Sequence, residues 1–125
     1  MMKQAVTSEK APAAIGPYSQ AIETEGLIFV SGQLPVNPAT GTMPDGIEAQ
    51  TRQAMQNIGA ILEAAGLTFN DIVKTTVLLA NMADFAAMNA VYAEFFPDNK
   101  PARVCFQAAA LPKNSLIEID AIAGK

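Results

Sequence analysis

The chemistry available to this chain rests on few side chains. Of its two arginines, Arg103 opens an apolar strand, Val104-Cys105-Phe106, directly after Pro101-Ala102. A planar guanidinium at the start of a buried strand suits a two-pronged grip on a carboxylate ligand, or an ordinary ion pair at an edge or interface. Arg52, among Gln50, Gln53 and Gln56, reads as a solvated helix residue. The last apolar stretch alternates: Ile117, Ile119, Ala121 and Ala123 share one face, and Glu118 and Asp120 project from the other with Leu116 and Ile122. Two carboxylates on one strand face suit acid–base work, or simple solvation or pairing. No acid lies within residues 103–108, so either carboxylate is a candidate partner for Arg103. Burial would raise a carboxylate's pKa there and a nearby Arg103 would lower it, which leaves the net sign open.

Three further positions belong to the candidate set. Tyr18 follows Gly16-Pro17, a rigid turn able to place a phenol at a pocket edge. Ser31-Gly32 ends an apolar strand, where a missing side chain allows either a tight turn or close approach of a ligand to the backbone N–H. Cys105 lies between Val104 and Phe106 and reads as a packed, unreactive thiol, with no histidine to activate it.

Composition narrows the classes. Histidine is absent, which excludes the usual serine and cysteine hydrolase triads and most zinc sites, so no metal centre is expected. Eight Lys or Arg stand against twelve Asp or Glu, an acidic balance that argues against nucleic acid or an anionic membrane as main partner. A single cysteine allows no intrachain disulfide and suits a reducing, cytoplasmic setting. Met1-Met2-Lys3-Gln4 leads into no apolar signal core, and no stretch has the apolar length of a membrane span. A length of 125 residues predicts one domain over 1–125, large enough to build its own core.

The elements that must position these residues follow from punctuation and periodicity. Strands are expected at residues 19–24 and 27–31 around a turn at Glu25-Gly26, after a proline-bearing segment and with an additional strand at 3–6. A helix is expected over residues 46–65, with an Asp45/Glu48 capping box, Gly66 as its C-terminal cap, and an apolar stripe of Ile47, Met55, Ile58, Ile61, Leu62 and Ala65. A strand over 72–80 precedes a second helix over 83–95, capped by Asn81 or Asp84 and stopped by Pro97. The helical spacing of Phe85, Met88, Tyr92 and Phe95 reads as core. Strands at 103–108 and 116–123 complete an α+β sandwich with both helices on one face of a mixed sheet. Leu27-Ile28-Phe29-Val30 and Val77-Leu78-Leu79-Ala80 are apolar on both faces, and two helices cover only one. The open face is therefore expected to pack against sister subunits in a closed homo-oligomer.

Several longer segments carry a resemblance. Ala14-Ile15-Gly16-Pro17-Tyr18-Ser19-Gln20-Ala21, Ser31-Gly32-Gln33-Leu34-Pro35-Val36-Asn37-Pro38 and Ile72-Val73-Lys74-Thr75-Thr76-Val77 are similar to segments of the RidA/YjgF family of reactive intermediate/imine deaminases. Pro101-Ala102-Arg103 with Cys105, Leu111-Pro112-Lys113 and Ile117-Glu118-Ile119 resemble its C-terminal signature. The resemblance implies a chorismate-mutase-like fold, a homotrimer with a barrel-like core, and a site in each cleft between subunits. It implies hydrolysis of enamines and imines such as 2-aminoacrylate, released by pyridoxal-phosphate-dependent dehydratases, to 2-keto acids and ammonia, with no cofactor. By position, Arg103 would grip the substrate carboxylate, the backbone of Gly32 and Cys105 would complete the cradle, and Glu118 would hold and activate water. Tyr18, Ser31 and Asn89 would line the cleft. Two residues depart from the pattern: Val104 replaces a common Ser or Thr near the carboxylate site, and Ala110 a frequent Arg. The alternatives are a non-catalytic trimer that senses keto or amino acids, and an RNA-acting translation inhibitor, the latter opposed by the acidic balance.

Overall fold

The structure, a computed structural model, describes residues 2–125. Six strands form one mixed sheet in the order β1-β2-β3-β6-β4-β5. They are β1 (Gln4–Val6), β2 (Ala21–Thr24), β3 (Leu27–Gln33), β4 (Ile72–Leu79), β5 (Ala102–Gln107) and β6 (Ile117–Gly124), with helices α1 (Ile47–Ala64) and α2 (Phe85–Ala93). All pairings are antiparallel except β4 with β5, which α2 connects in a crossover. The central strand β6, last in sequence, is inserted between β3 and β4 and places Glu118 in the middle of the sheet.

One face of this sheet is dry. Ile28 and Val30 of β3, Thr75, Val77 and Leu79 of β4, and Ile117, Ile119, Ala121 and Ala123 of β6 are buried beneath Met55, Ile58, Ile61 and Leu62 of α1 and Met88 and Tyr92 of α2. The period-2 alternation of the strands and the helical stripe therefore meet as expected. Phe96, just beyond α2, completes the core. The opposite face shows Leu27, Phe29, Val73, Val104 and Phe106, each at least 39 % exposed.

Several boundaries differ from the sequence reading for identifiable reasons. Strand β2 begins at Ala21 rather than at residue 19, because the Ser19 carbonyl accepts the Ser31 hydroxyl instead of entering the ladder. The Asp45/Glu48 capping box does not form: Gly46, at φ 89°, is the N-cap and puts Asp45 outside the helix, and the reciprocal box forms at Thr68 and Asp71. Gly66 does close α1, with its N–H on the Glu63 carbonyl and that of Leu67 on Leu62. Helix α2 is shorter than expected because a 3-10 turn, Met82–Asp84, occupies its start; the Asn81 side chain caps that turn, and Asp84 makes no side-chain cap. Arg52 is exposed but not merely solvated: it forms a two-pronged pair with Glu94, tying α1 to the end of α2.

Candidate functional site

Glu118 projects from β6 to the open face, and its position depends on a bulge in β3. Val30 pairs with Ala121 but Gln33 with Ile119, so β3 carries one extra residue around Ser31-Gly32. The bulge keeps Val30 and Gln33 both buried, and it brings Gly32 against the Glu118 carboxylate. A Cβ at Gly32 would overlap Glu118 Oε2. Burial, and then the like charge of Asp120 on the same strand face, push the Glu118 carboxyl above the usual range. The sign left open in the sequence is thus upward. Asp120 Oδ1 accepts the Thr76 backbone N–H, and neither carboxylate is in an ion pair with Arg103 of the same chain.

Glu118, Gly32 and Tyr18 line a cavity of about 1040 Å³, walled by the apolar segment around Ala11, Pro12 and Ile15 and by Pro112 and Lys113. The Tyr18 N–H closes a tight turn onto the Gly16 carbonyl, and its half-exposed ring stands at the cavity edge. Ser31 lies outside this lining; its hydroxyl donates to the Ser19 carbonyl at 2.6 Å and so ties β3 to the segment that carries Tyr18. Two buried amides that sequence reasoning passed over hold the cavity walls. Gln20 donates to the carbonyls of Ser8 and Pro12 and accepts the Ser8 N–H. Asn57 of α1 donates to the carbonyls of Leu34 and Val36 and accepts from Gln53. Buried amides whose partners are loop carbonyls, Gln20 just before β2 and Asn57 on the core side of α1, are the available signal, since each substitutes for ladder partners that the loops lack.

Arg103 is on the other side of the sheet. It is level with Thr75 across the parallel β4–β5 pair and points to the helix-covered face at the outer edge strand. Its Nη1 donates to Asn89 Oδ1 at 2.6 Å, and its guanidinium carbon lies 4.9 Å from the Tyr92 ring centre and 5.5 Å from that of Phe85. Three α2 residues at one helical face, 85, 89 and 92, thus form its seat, although the sequence reading assigned both aromatics to core alone. Cys105, two residues on, is half-buried on the same face; burial pushes its thiol up, with Arg103 opposing. Val104 faces the other way, so a hydroxyl at this position would not lie beside the guanidinium of its own chain. Ala110 is exposed. One chain therefore brings Tyr18, Gly32 and Glu118 together, and separately Asn89, Arg103 and Cys105, on opposite faces of the sheet.

Fold and site define a class: a small α+β protein with a glutamate-containing cavity on one sheet face and, on the other, an arginine seated without a carboxylate partner among the described residues. The chain belongs to the family described as Endoribonuclease L-PSP, the RidA/YjgF family, whose pattern matches residues 8–125. It is 54 % identical over 125 residues to a RutC family protein of Pyrococcus horikoshii, covering 99 % of both chains. It is 50 % identical over 125 residues to the 2-iminobutanoate/2-iminopropanoate deaminase of Escherichia coli K12, covering 98 % of both. The crystal structure of E. coli TdcF with bound serine superposes with a TM-score of 0.94 at 42 % identity, covering 98 % of both chains. The family expected from the motifs is the family found.

Proposed function

We propose that this chain is a hydrolytic enamine/imine deaminase that converts 2-aminoacrylate-type intermediates from pyridoxal-phosphate-dependent dehydratases to 2-keto acids and ammonia. The observation that carries the reading is the presence in one chain of an arginine with no carboxylate partner among the described residues and a glutamate whose carboxyl is held up by burial. The name and 50 % identity of the E. coli deaminase support it.

The chemistry follows from these groups. Arg103 anchors the substrate carboxylate, with backbone N–H groups of Gly32 and Cys105 and the Asn89 amide completing the cradle. Tyr18 covers one side, and Ser31 acts through the segment that it ties down. Neutral Glu118 donates its proton to the enamine methylene carbon, producing an iminium whose carbon is strongly electrophilic. The resulting carboxylate takes a proton from water as the water oxygen bonds to that carbon. Proton transfer from the hydroxyl to nitrogen through Glu118 then lets the C–N bond break, leaving keto acid and ammonia. The iminium is its own electrophile, so no cofactor is required.

Assembly completes the site. Arg103 and Glu118 are on opposite faces of one sheet, and the open face carries Leu27, Phe29, Val73, Val104 and Phe106. A closed homotrimer of chorismate-mutase-like architecture, its sheets forming a barrel-like core, buries that face and joins the Arg103 side of one protomer to the Glu118 side of the next. A cytoplasmic location suits a scavenger of dehydratase products; no helix among the described residues is long and apolar enough to cross a membrane.

A coupled assay of ammonia release from freshly generated 2-aminoacrylate tests the reading. Acceleration by wild type and its loss in Arg103→Ala support it, and a wild type that leaves the spontaneous rate unchanged overturns it. The serine-bound TdcF structure favours a second reading, a keto- or amino-acid sensor. Glu118→Gln separates the two, since loss of turnover with ligand binding intact assigns catalysis. RNA cleavage, suggested by the family's description, is opposed by a net charge of −4.

A further inference from the structure

We propose that Tyr92, held in place by Thr75, is a positioning residue that sets the plane in which Arg103 presents its guanidinium; the inference rests on the deaminase reading only for the identity of the carboxylate received. The Tyr92 ring centre lies 4.9 Å from the guanidinium carbon, closer than that of Phe85 at 5.5 Å. The Asn89 contact fixes one nitrogen at 2.6 Å but by itself allows the fork to rotate about that bond. The aromatic faces remove this freedom, because a guanidinium is weakly hydrated and favours a ring face.

What makes Tyr92 more than a wall is the other end of its side chain. Its hydroxyl is 2.7 Å from Thr75 Oγ1, and both residues are buried. Thr75 on β4 is the direct cross-strand neighbour of Arg103 on β5. The strand pair that carries the guanidinium therefore also anchors the ring that orients it, so ring and guanidinium keep register. A leucine would fill much of the same core volume, but it offers neither the π face nor the tether.

Three variants test this: Tyr92→Phe, which keeps the ring; Tyr92→Leu, which removes it; and Val91→Ala, which weakens α2 packing at a buried residue further round the helix. The readouts are the Arg103 side-chain Nε–Hε resonance in the ligand-free protein, the affinity for 2-oxobutanoate, and the KM-against-kcat split. Wild type shows a ring-shifted, slowly exchanging resonance. Tyr92→Leu loses it, weakens 2-oxobutanoate binding about tenfold and raises KM with little change in kcat. Tyr92→Phe, which keeps the π face but loses the Thr75 tether, gives a weaker, faster-exchanging shifted resonance and an affinity between those of wild type and Tyr92→Leu; a wild-type result there removes Thr75 from the proposal. Val91→Ala lowers Tm while leaving resonance and affinity as in wild type. An unshifted wild-type resonance, an unchanged resonance in Tyr92→Leu, or equal losses in Val91→Ala overturn the proposal. If wild type shows the shifted resonance but binds no 2-oxobutanoate, the deaminase reading fails and the resonance series still decides the role of Tyr92.

Discussion

The Glu118 carboxylate occupies the space that a side chain at position 32 would need. A Cβ on Gly32 would lie against Oε2, 3.0 Å from Cδ and 3.3 Å from Cγ of Glu118. Gly32 is not among the glycines with positive φ, so backbone conformation does not demand glycine here. The demand comes from the carboxylate. An acid in the centre of a sheet, pressed into the notch of a bulged neighbour, has a fixed position without an ion pair.

Gly32→Ala should therefore displace Glu118 rather than unfold the protein. A displacement of about 1 Å at a proton-transferring group costs on the order of 100-fold in rate. The expected outcome is that loss in kcat/KM for 2-aminoacrylate hydrolysis with a nearly unchanged Tm. Wild-type turnover in the alanine variant would show that Glu118 does not need its present position.

Arg103→Lys keeps the charge but loses the planar fork and the stacking on Tyr92 and Phe85. KM should rise by about tenfold or more, and the Asn89 contact should not rescue it, because a single ammonium cannot serve both the amide and a carboxylate in one plane. Arg103→Ala should show a larger loss. Steady-state kinetics with 2-aminoacrylate and inhibition by 2-oxobutanoate read both variants.

The two halves of the candidate site were legible to different degrees. Alternation along Ile117-Glu118-Ile119-Asp120 assigns Glu118 its face because each alternate residue is apolar and the strand is central. No such contrast exists along Arg103-Val104-Cys105-Phe106, an edge strand with little burial on either side, so its face emerges only from pairing with Thr75. Phe85 and Tyr92 have the spacing of a core stripe whether or not a guanidinium covers them, and pattern alone cannot separate the two roles. Gln20 and Asn57 escape for another reason: their partners are loop carbonyls 8 to 23 residues away, a relation set by tertiary packing.

The pH profile offers a direct check on the electrostatics. Burial and then Asp120 hold the Glu118 carboxyl up. Asp120→Asn removes the second cause while keeping an oxygen for the Thr76 N–H. Ionisation of Glu118 becomes easier, so the inflection of kcat/KM that reports this group should move to lower pH. Stability follows the same sign. A carboxyl raised in the folded state stabilises the fold below its unfolded pKa, and that contribution is lost as pH rises through the folded value. In Asp120→Asn the loss is smaller, which Tm measured across the acidic range will show. An unmoved inflection would remove Asp120 from the account.

Asn57 is fully buried and donates to two loop carbonyls, those of Leu34 and Val36, at 3.1 and 2.9 Å. Asn57→Leu fills similar volume and leaves both acceptors without this donor. The cost should be about 2–3 kcal/mol, from desolvated groups left unpaired. Because residues 34 and 36 line the cavity, KM should rise as well. Denaturant titration and kinetics on the same preparation separate the two effects.

The opposite placement of Arg103 and Glu118 leads to the sharpest test of assembly. If each site takes Arg103 from one protomer and Glu118 from the next, Arg103→Ala and Glu118→Gln homotrimers are each inactive, with every cleft lacking one group. A mixed trimer of the two variants always contains one junction where an intact Arg103 meets an intact Glu118. Random assembly from equal amounts gives mixed trimers about three-quarters of the time, each with one working cleft of three, so activity should recover to about one-quarter of wild type. Sites formed within a single chain would give no recovery, since each variant chain carries a defect of its own. Phe29→Asp supplies the control: a charge on the exposed β3 face should prevent trimer formation by sedimentation, and with it both the wild-type activity and the recovery. Activity that survives in monomers of the single Phe29→Asp variant would place the site inside one chain after all.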